Sequence, residues 1–382
     1  MTTSRQLRLA GASVALAAIV VTVASCRAGA GARAGDAGVP PRERGGELTR
    51  QLLAGAFDSL PAGIVLDLGG DGDTVLVRWF TDRRRDSLGR EWPDDPVLEV
   101  EGLSAGADFL ARLEARYGRE VELVHEAVYR CHFPFCERPR SLEYTRIARF
   151  SGDTAKTLRI GWLWTGDSLI GGWIIPSGQA LPSELASYEP HTPLRLPFDG
   201  EWVVLWGGRE LHENYHMGVP PLRFAYDFVV DSAGSLHRTD GRDNADYYCF
   251  GRPILSPAAG QVTMALDSFA ENVPGTPRPG YRGPGNFVVI DHGNGEFSFL
   301  AHLRRGSVRV AAGERLEAGD AVGECGNNGQ SVLPHLHYQL QLDARPGSRS
   351  VPAPFSDFLA NGVRVARGMP TRGQSVMHAS RP

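Results

Sequence analysis

The sequence is almost without lysine and carries no excess of positive charge. Lys156 is the single lysine among 40 basic residues, and the net charge is −4 with a pI near 6.3. A nucleic-acid-binding surface needs clustered positive charge, so no nucleic acid partner is expected. Glycine-cornered hairpins in the C-terminal half also occur in biotinyl and lipoyl carriers. Carriers need an attachment lysine, however, and Lys156 lies outside this half.

The sequence also lacks an apolar run of the ~20 residues that a membrane-spanning helix needs. A shorter run, Leu9–Val23, follows two arginines and precedes the small residues that end at Cys26. A basic start, a short apolar middle and small residues are typical of a secretory signal. Residues 1–26 resemble a bacterial lipoprotein signal, which predicts export to the cell envelope or periplasm and membrane anchoring through a lipid on Cys26. Ordinary cleavage nearby is the alternative.

The next two segments differ sharply in composition. Residues 27–44 contain nothing that builds a core, which predicts a flexible tether. From residue 45 to 195, apolar residues first recur at helical spacing and then form alternating runs, which predicts an α+β accessory domain. The predicted strands are Thr74–Phe80, Val121–Tyr129, Leu142–Ser151, Thr157–Trp164 and Ser168–Pro176.

This accessory domain is similar to the nuclear-transport-factor-2-like cone fold found ahead of some secreted enzymes. It contains no catalytic constellation, and His125 and His132 are interpreted as structural. A targeting or regulatory role is the expectation for residues 45–195.

Residues 196–350 have an almost wholly β pattern of short runs separated by Gly, Asn and Pro, which predicts a mostly antiparallel domain. The runs are Ile254–Met264, Phe287–Ile290, Phe297–Leu303, Val308–Val310 and His335–Leu342. Residues 351–382 are expected to form a C-terminal tail that packs briefly and then frays.

The motif His335-Leu336-His337 is the first candidate for chemistry. From His335 to Leu342 polar and apolar residues alternate, which indicates a strand with one side in a core and the other facing a cleft. Both imidazoles then point the same way, roughly 6–7 Å apart. One is placed to bind a metal and the other to handle protons; a strand with two surface histidines is the alternative.

Three more polar residues join this pair. Asp227 lies in an apolar strand between Tyr226 and Phe228, where an isolated charge would be very costly without a partner. His216 precedes it by eleven residues, and His302 lies near the end of the run Phe297–Leu303. Two histidines and an aspartate with one open position form a catalytic zinc site. The sequence offers no H-E-x-x-H glutamate, so the spare histidines are the candidate proton carriers.

Five motifs together resemble the lysostaphin-like (glycyl-glycine endopeptidase type) zinc metallopeptidases, which hydrolyse peptide bonds in peptidoglycan cross-links. They are Asn214-Tyr215-His216, Arg223–Asp227, Ala301-His302-Leu303, Gly326-Asn327-Asn328-Gly329 and Pro334–His337.

The resemblance implies that His216, Asp227 and His337 bind Zn²⁺, and that His302 and His335 orient water or steady the oxyanion. It also implies stem peptides or cross-bridges of peptidoglycan as substrate, with a regulatory protein partner possible. One departure is the ten residues between His216 and Asp227, where the commoner family form has three. His212 is the fallback ligand, and His237 and His292 are interpreted as surface residues.

Two other kinds of protein contain part of this set of five candidate residues. Iron(II) oxygenases also bind metal through two histidines and a carboxylate, but they do not need His302 and His335, and an exported lipoprotein lacks access to their cytosolic cosubstrates. Inactive lysostaphin-like domains that only recruit or activate wall hydrolases have usually lost part of the ligand set. All five positions are filled here.

The five cysteines leave four for pairing if Cys26 is lipidated, which allows three connectivities. The simplest joins Cys131 to Cys136 and Cys249 to Cys325. A structural zinc site at the first pair is the rival interpretation.

Overall fold

The fold is described from a computed structural model. It defines residues 41–54, 65–69, 76–80, 111, 113–115, 117–130, 141–152, 157–166, 168–177, 183–276 and 283–379. The expected signal, most of the tether, His132 and the Cys131–Cys136 pair lie outside these ranges. Within them, no helix is both long and apolar enough to span a membrane.

The first sheet has six antiparallel strands in the order β1-β2-β6-β5-β4-β3. They are β1 Val65–Gly69, β2 Leu76–Phe80, β3 Glu120–Arg130, β4 Ser141–Phe150, β5 Thr157–Thr165 and β6 Ser168–Ser177. These bounds lie within two residues of the corresponding runs predicted from the sequence. β1 was not predicted.

The helix α1, Pro41–Leu53, packs on this sheet. Leu52 joins the core of β4 and β5, and Thr49 Oγ1 accepts a hydrogen bond of 2.9 Å from the Trp162 indole. Gly45 is required because an added Cβ would lie 2.2 Å from the Tyr144 ring. Because α1 begins at Pro41, residues 41–44 belong to a helix, and the prediction of a tether is wrong for them.

The second sheet has eleven strands, and each of its strand ladders is antiparallel. Its order is β13-β10-β11-β12-β15-β8-β7-β19-β17-β18, with β16 paired to β15. The strands are β7 Trp202–Trp206, β8 Tyr226–Val229, β10 Gly260–Leu266, β11 Phe287–Asp291, β12 Phe297–Ala301, β13 Arg315–Leu316, β15 Leu336–Gln341, β16 Ser350–Val351, β17 Phe355–Ala360, β18 Val363–Gly368 and β19 Ser375–His378. A separate pair is formed by β9 Pro253–Leu255 and β14 Ala321–Glu324. The prediction of a mostly antiparallel β region is confirmed.

The two faces of β8 and β15 have opposite characters. Tyr226, Phe228, Leu336 and Tyr338 are fully buried in the main core. The intervening residues Asp227 and His337 point to the other face, as the alternation along both strands predicts. This alternation places polar side chains over a large apolar core.

The prediction that residues 351–382 form a fraying C-terminal tail is wrong. Residues 355–378 form β17, β18 and β19, and β19 pairs with β7 in the middle of the sheet. Phe355, Phe358 and Val376 are buried in the main core. The segment is therefore held by ladder hydrogen bonds and by apolar burial.

One smaller prediction is also wrong. Val308–Val310 is not a strand; Arg309 instead donates its backbone N–H to Val322 O from an irregular segment. The run Ile254–Met264 contains strands, as predicted, but it is divided between β9 and β10, because the Ser256 side chain donates to Ala258 O and turns the chain between them.

A buried ion cluster joins the two sheets. Arg372, between β18 and β19, donates to the Glu143 carboxylate on β4 at 2.7 Å. Its guanidinium also lies 4.3 Å from the Tyr129 ring and 4.4 Å from the Trp206 ring. Glu143 is bonded by Arg159 as well, so the carboxylate has two cationic partners. This cluster fixes the β18–β19 connection against the first sheet.

Candidate metal centre

Strand register brings the histidine pair and the aspartate together. On one side of β15, His337 lies directly opposite Asp227 of β8, and on the other side it lies opposite Ala301 of β12. His302 directly follows Ala301, and His335 directly precedes β15. The three strands therefore deliver four of the five predicted residues to one place.

His216 arrives by a different route. It lies on the short 3₁₀ turn Tyr215–Gly218, which is followed by a second turn, Pro220–Leu222, before β8 begins. Asn214 caps the first turn by accepting the backbone N–H of His216. The ten residues between His216 and Asp227 thus form a compact double turn that returns the chain to the start of β8.

The donor atoms of His216, Asp227 and His337 all lie within 4.8 Å of one another, and all three residues are buried. His216 Nε2 lies 3.6 Å from Asp227 Oδ2, and His337 Nδ1 lies 2.9 Å from Asp227 Oδ1. Zinc bonds of about 2.0–2.2 Å in a tetrahedron require donors roughly 3.3 Å apart. The donor chemistry and spacing fit a small tetrahedral cation.

Two amide side chains determine which nitrogen each of these histidines presents. Asn214 Nδ2 donates to the carbonyl of Ala225 at 2.9 Å, so its Oδ1 must accept the Nδ1–H of His216, 2.8 Å away. Gln339 Nε2 donates to Gln341 and to Ser348 O, so its Oε1 faces His337 Nε2 at 3.4 Å. His216 therefore presents Nε2, and His337 presents Nδ1, toward the Asp227 carboxylate.

The other two histidines are fixed by backbone carbonyls. His302 Nδ1 donates to Asn328 O at 2.7 Å, and His335 Nδ1 donates to Leu333 O at 2.8 Å. Each therefore has a free Nε2, and that of His335 lies 3.5 Å from Asp227 Oδ1. The ring centroids of His302 and His335 are 4.7 Å apart.

His302 also has an unusual backbone. Its φ is +63°, in the left-handed region that non-glycine residues rarely occupy. Such strain costs about 1–3 kcal/mol and persists only where the surroundings hold the residue in place. The hydrogen bonds around His302 must provide that restraint.

The buried titratable groups of the cluster have pKa values that are shifted in different directions. Burial opposes ionisation of Asp227, but the nearby His216 and His335 outweigh it, and the pKa of Asp227 lies well below its usual range. Burial lowers the pKa of His216 to about 3, and burial with the neighbouring histidines holds the pKa of His302 well below its usual value. Burial acts the same way on His335, but the Asp227 charge exceeds it and the pKa of His335 is raised.

Three other histidines named from the sequence lie outside this cluster. The His212 ring packs on His125 of β3 with centroids 3.9 Å apart, and it is not a member of the donor cluster. His237 bonds to Thr239 O. His292 is partly exposed and bonds to Ser298.

Three residues near the site were missed as functional from the sequence. Asn214 and Gln339 orient two candidate ligands, as described above. The Tyr215 ring centroid lies 4.1 Å from that of His216, and although the residue is 48% exposed, desolvation of its hydroxyl and the Asp227 carboxylate raise the pKa of that hydroxyl well above the usual value. Tyr215 and Asn214 directly precede a candidate ligand, and Gln339 continues the alternation of β15, which are the sequence features that point to them.

The predicted disulfide between Cys249 and Cys325 is present, with a Cα–Cα distance of 6.0 Å. Cys325 immediately precedes the loop Gly326–Gly329, whose Asn328 carbonyl holds His302. The bridge therefore ties the base of this loop to the main core, of which both cysteines are part.

Comparison with known proteins assigns this region to a family. The sequence pattern of peptidase family M23 matches residues 242–348, which include His302, His335 and His337. Residues 242–348 form an M23 peptidase domain. The matched span begins after His216 and Asp227, so the M23 pattern itself does not cover these two candidate ligands.

Segments of the chain are also similar to named peptidases. A 62-residue segment is 40% identical to the peptidoglycan DD-endopeptidase ShyA of Vibrio cholerae, covering 16% of this chain and 14% of ShyA. A 143-residue segment is 30% identical to the DD-carboxypeptidase/endopeptidase Mpg of Neisseria meningitidis, covering 36% of this chain and 30% of Mpg. The chain thus spans less than a third of either relative.

Among solved structures, the catalytic domain of lysostaphin from Staphylococcus simulans matches 40% of this chain and 86% of its own length. The sequence identity is 18% and the TM-score 0.25.

Proposed function

We propose that the chain is a zinc-dependent metalloendopeptidase that hydrolyses peptide bonds in peptidoglycan cross-links. The observation that carries the proposal is the convergence of His216, Asp227, His337, His302 and His335 on one buried cluster in and beside an M23 domain. The names of the relatives ShyA and Mpg supply the substrate class.

His216, Asp227 and His337 would hold the zinc ion through Nε2, a carboxylate oxygen and Nδ1. When bound, zinc supplies Lewis acidity toward a carbonyl and lowers the pKa of coordinated water to about 7. The residues of the chain prepare this site, because each histidine has its other ring nitrogen committed to a hydrogen bond. Such outer partners fix the ring orientation and the tautomer of a ligand.

His302 and His335 would handle the proton and the developing charge. Both present a free Nε2, because Nδ1–H of each is held by a carbonyl. In the neutral form an imidazole accepts the proton of the attacking water, and in the charged form it donates a hydrogen bond to the oxyanion of the tetrahedral intermediate. With two neighbouring histidines, one imidazole would be neutral while the other is charged.

A catalytically inactive wall-binding or hydrolase-activating domain is the alternative function. It predicts decay of the ligand set, and the cluster here is complete and has its supporting hydrogen bonds.

The remaining proposals concern the rest of the chain. We propose that residues 1–26 are a lipoprotein signal, that Cys26 carries the lipid, and that the protein acts in the cell envelope or periplasm. Residues 45–195 would form an α+β accessory domain of nuclear-transport-factor-2-like type with a targeting or regulatory role. The peptidase region would start near residue 196 and extend through β19, beyond the predicted boundary at 350.

The test is digestion of purified sacculi by the zinc-loaded protein, with metal content measured and released muropeptides identified by mass spectrometry. We expect one zinc per chain and new cross-link cleavage products, both lost after chelation and restored by zinc. A protein that holds zinc but releases nothing would favour the inactive alternative. A protein that neither holds zinc nor cleaves would end the enzyme hypothesis.

A further inference from the structure

A carboxylate outside the five-residue set connects the two segments that surround His302. Glu271 lies on the connection between β10 and β11. Its Oε1 accepts the backbone N–H of Arg305 at 2.7 Å and the amide of Asn328 at 3.3 Å, and its Oε2 accepts the backbone N–H of Asn327 at 2.5 Å. Hydrogen bonds to a carboxylate are shorter and stronger than those between neutral groups.

Both segments held by Glu271 determine the position of His302. Asn328 O accepts the Nδ1–H of His302, and the Asn328 side chain donates to Leu303 O at 2.6 Å. Arg305 follows His302 by three residues. Glu271 therefore ties the loop that orients the ring to the backbone that carries it.

The neighbouring Asn272 extends the same connection. Its side-chain amide donates to Gly329 O at 2.9 Å and to Ser331 O at 2.8 Å. Ser331 in turn lies 3.2 Å from His335 Nδ1. The β10–β11 connection thus reaches the supports of both catalytic candidates, and Glu271 contributes a charged side chain that contacts the loop.

We propose that Glu271 is a positioning residue for His302. It holds Asn327 and Asn328 where the Asn328 carbonyl fixes the tautomer of His302, so that Nε2 stays free for proton transfer. The left-handed backbone of His302, with φ +63°, needs such a restraint. This inference rests on the proposed peptidase function, since it concerns the role of His302 in that reaction.

The kinetic test compares Glu271→Ala and Glu271→Gln with Asp267→Asn. Asp267 is a matched control on the same connection: it accepts the backbone N–H groups of Gly306 at 2.7 Å and Val308 at 3.2 Å, which lie outside the 326–329 loop. Residues that orient a metal-site group typically contribute ~10–100-fold. We expect Glu271→Ala to lower kcat by about that factor with KM, zinc content and Tm close to those of Asp267→Asn. We expect Glu271→Gln to lose less, because it retains one acceptor oxygen.

Equal kcat in Glu271→Ala and Asp267→Asn would overturn the proposal. So would a further loss when Glu271→Ala is added to His302→Ala, because a residue that acts through His302 has no effect once His302 is gone.

A spectroscopic test is independent of activity. Nitrogen-15 NMR of the histidine rings should show His302 as the Nδ1–H tautomer in the wild-type and Asp267→Asn proteins, and as a mixture in Glu271→Ala. If the wild-type protein cleaves no peptidoglycan, the proposed function fails while this measurement still decides the role of Glu271. An unchanged His302 tautomer in Glu271→Ala would refute that role.

Discussion

The buried Glu143 should make the stability of the chain depend on pH in a way that one substitution removes. Burial opposes the charged form of Glu143, but Arg372 and Arg159 outweigh it and lower its pKa from 4.5 to about 2. At 1.36 kcal/mol per unit, this depression is worth about 3 kcal/mol. Because the folded pKa is depressed, the contribution is fully present above pH 4.5 and is lost as the pH falls toward 2.

Glu143→Gln keeps the shape of the side chain and removes the charge. We expect it to lower the free energy of unfolding by about 3 kcal/mol at pH 7 and by only about 1 kcal/mol at pH 3, where the wild-type protein has lost most of the same contribution. Urea denaturation at a series of pH values measures both, with tryptophan fluorescence as the signal, because Trp206 lies 4.4 Å from the Arg372 guanidinium.

Glu122→Gln is the matched control. Glu122 lies on the adjacent strand β3 and pairs with Arg149 at 2.7 Å, but its side chain is 57% exposed. An exposed ion pair contributes about 0–1 kcal/mol, so this variant should track the wild-type protein at every pH. A deficit of Glu143→Gln that is equal at pH 7 and pH 3 would show that lost packing, not lost charge, is the cause.

Three further predictions concern the metal centre. His337→Ala should lose both zinc and activity, whereas His335→Ala should retain zinc by elemental analysis and lose most turnover; near-full activity in the latter would contradict the division of roles. Asn214→Ala frees the Nδ1–H of His216 and should weaken zinc binding about 10–100-fold in a chelator competition, with unchanged affinity as the contrary result. Reduction of the Cys249–Cys325 disulfide, or replacement of both cysteines by Ser, should lower both Tm and kcat while zinc is retained. The reason is that the bridge restrains the loop that holds His302. A variant as stable and active as the parent would contradict this.

Much of the candidate site could be predicted because strands have a fixed period. Alternation along residues 335–342 placed His335 and His337 on the polar face of their strand. Alternation around Asp227 placed its side chain on the face of β8 that does not carry Tyr226 and Phe228. The sheet register then brings His337 opposite Asp227. The proximity of His216 depended on the resemblance, because the double turn that returns it to β8 has no periodic pattern.

The role of Glu271 was not predictable in the same way. It acts through hydrogen bonds to Asn327 and Asn328, which lie 56 and 57 residues away in the sequence. Local pattern carries no information about such partners. The functional role of Glu271 appears only when the strands and loops are assembled.

The error over the tail has a local explanation. Pro352, Pro354 and the polar end suggested a frayed tail, but Asn361-Gly362 is a favoured dipeptide for a two-residue hairpin turn. Both residues have positive φ, at 50° and 79°, and they join β17 to β18. That dipeptide, flanked by the alternating Val363–Gly368, was the overlooked indication of a hairpin.

The pairing of β19 with β7 has a consequence for the order in which the chain acquires its structure. Ser375 pairs with Val203 and Val376 with Trp202, so the partners are about 170 residues apart in the chain. Contacts of such sequence separation form late, because a long loop must close first. Until β19 arrives, β7 is an open edge that exposes Trp202 and Val204 to pairing with other chains. A protein cut at residue 350 would keep all five candidate catalytic residues and still be expected to aggregate.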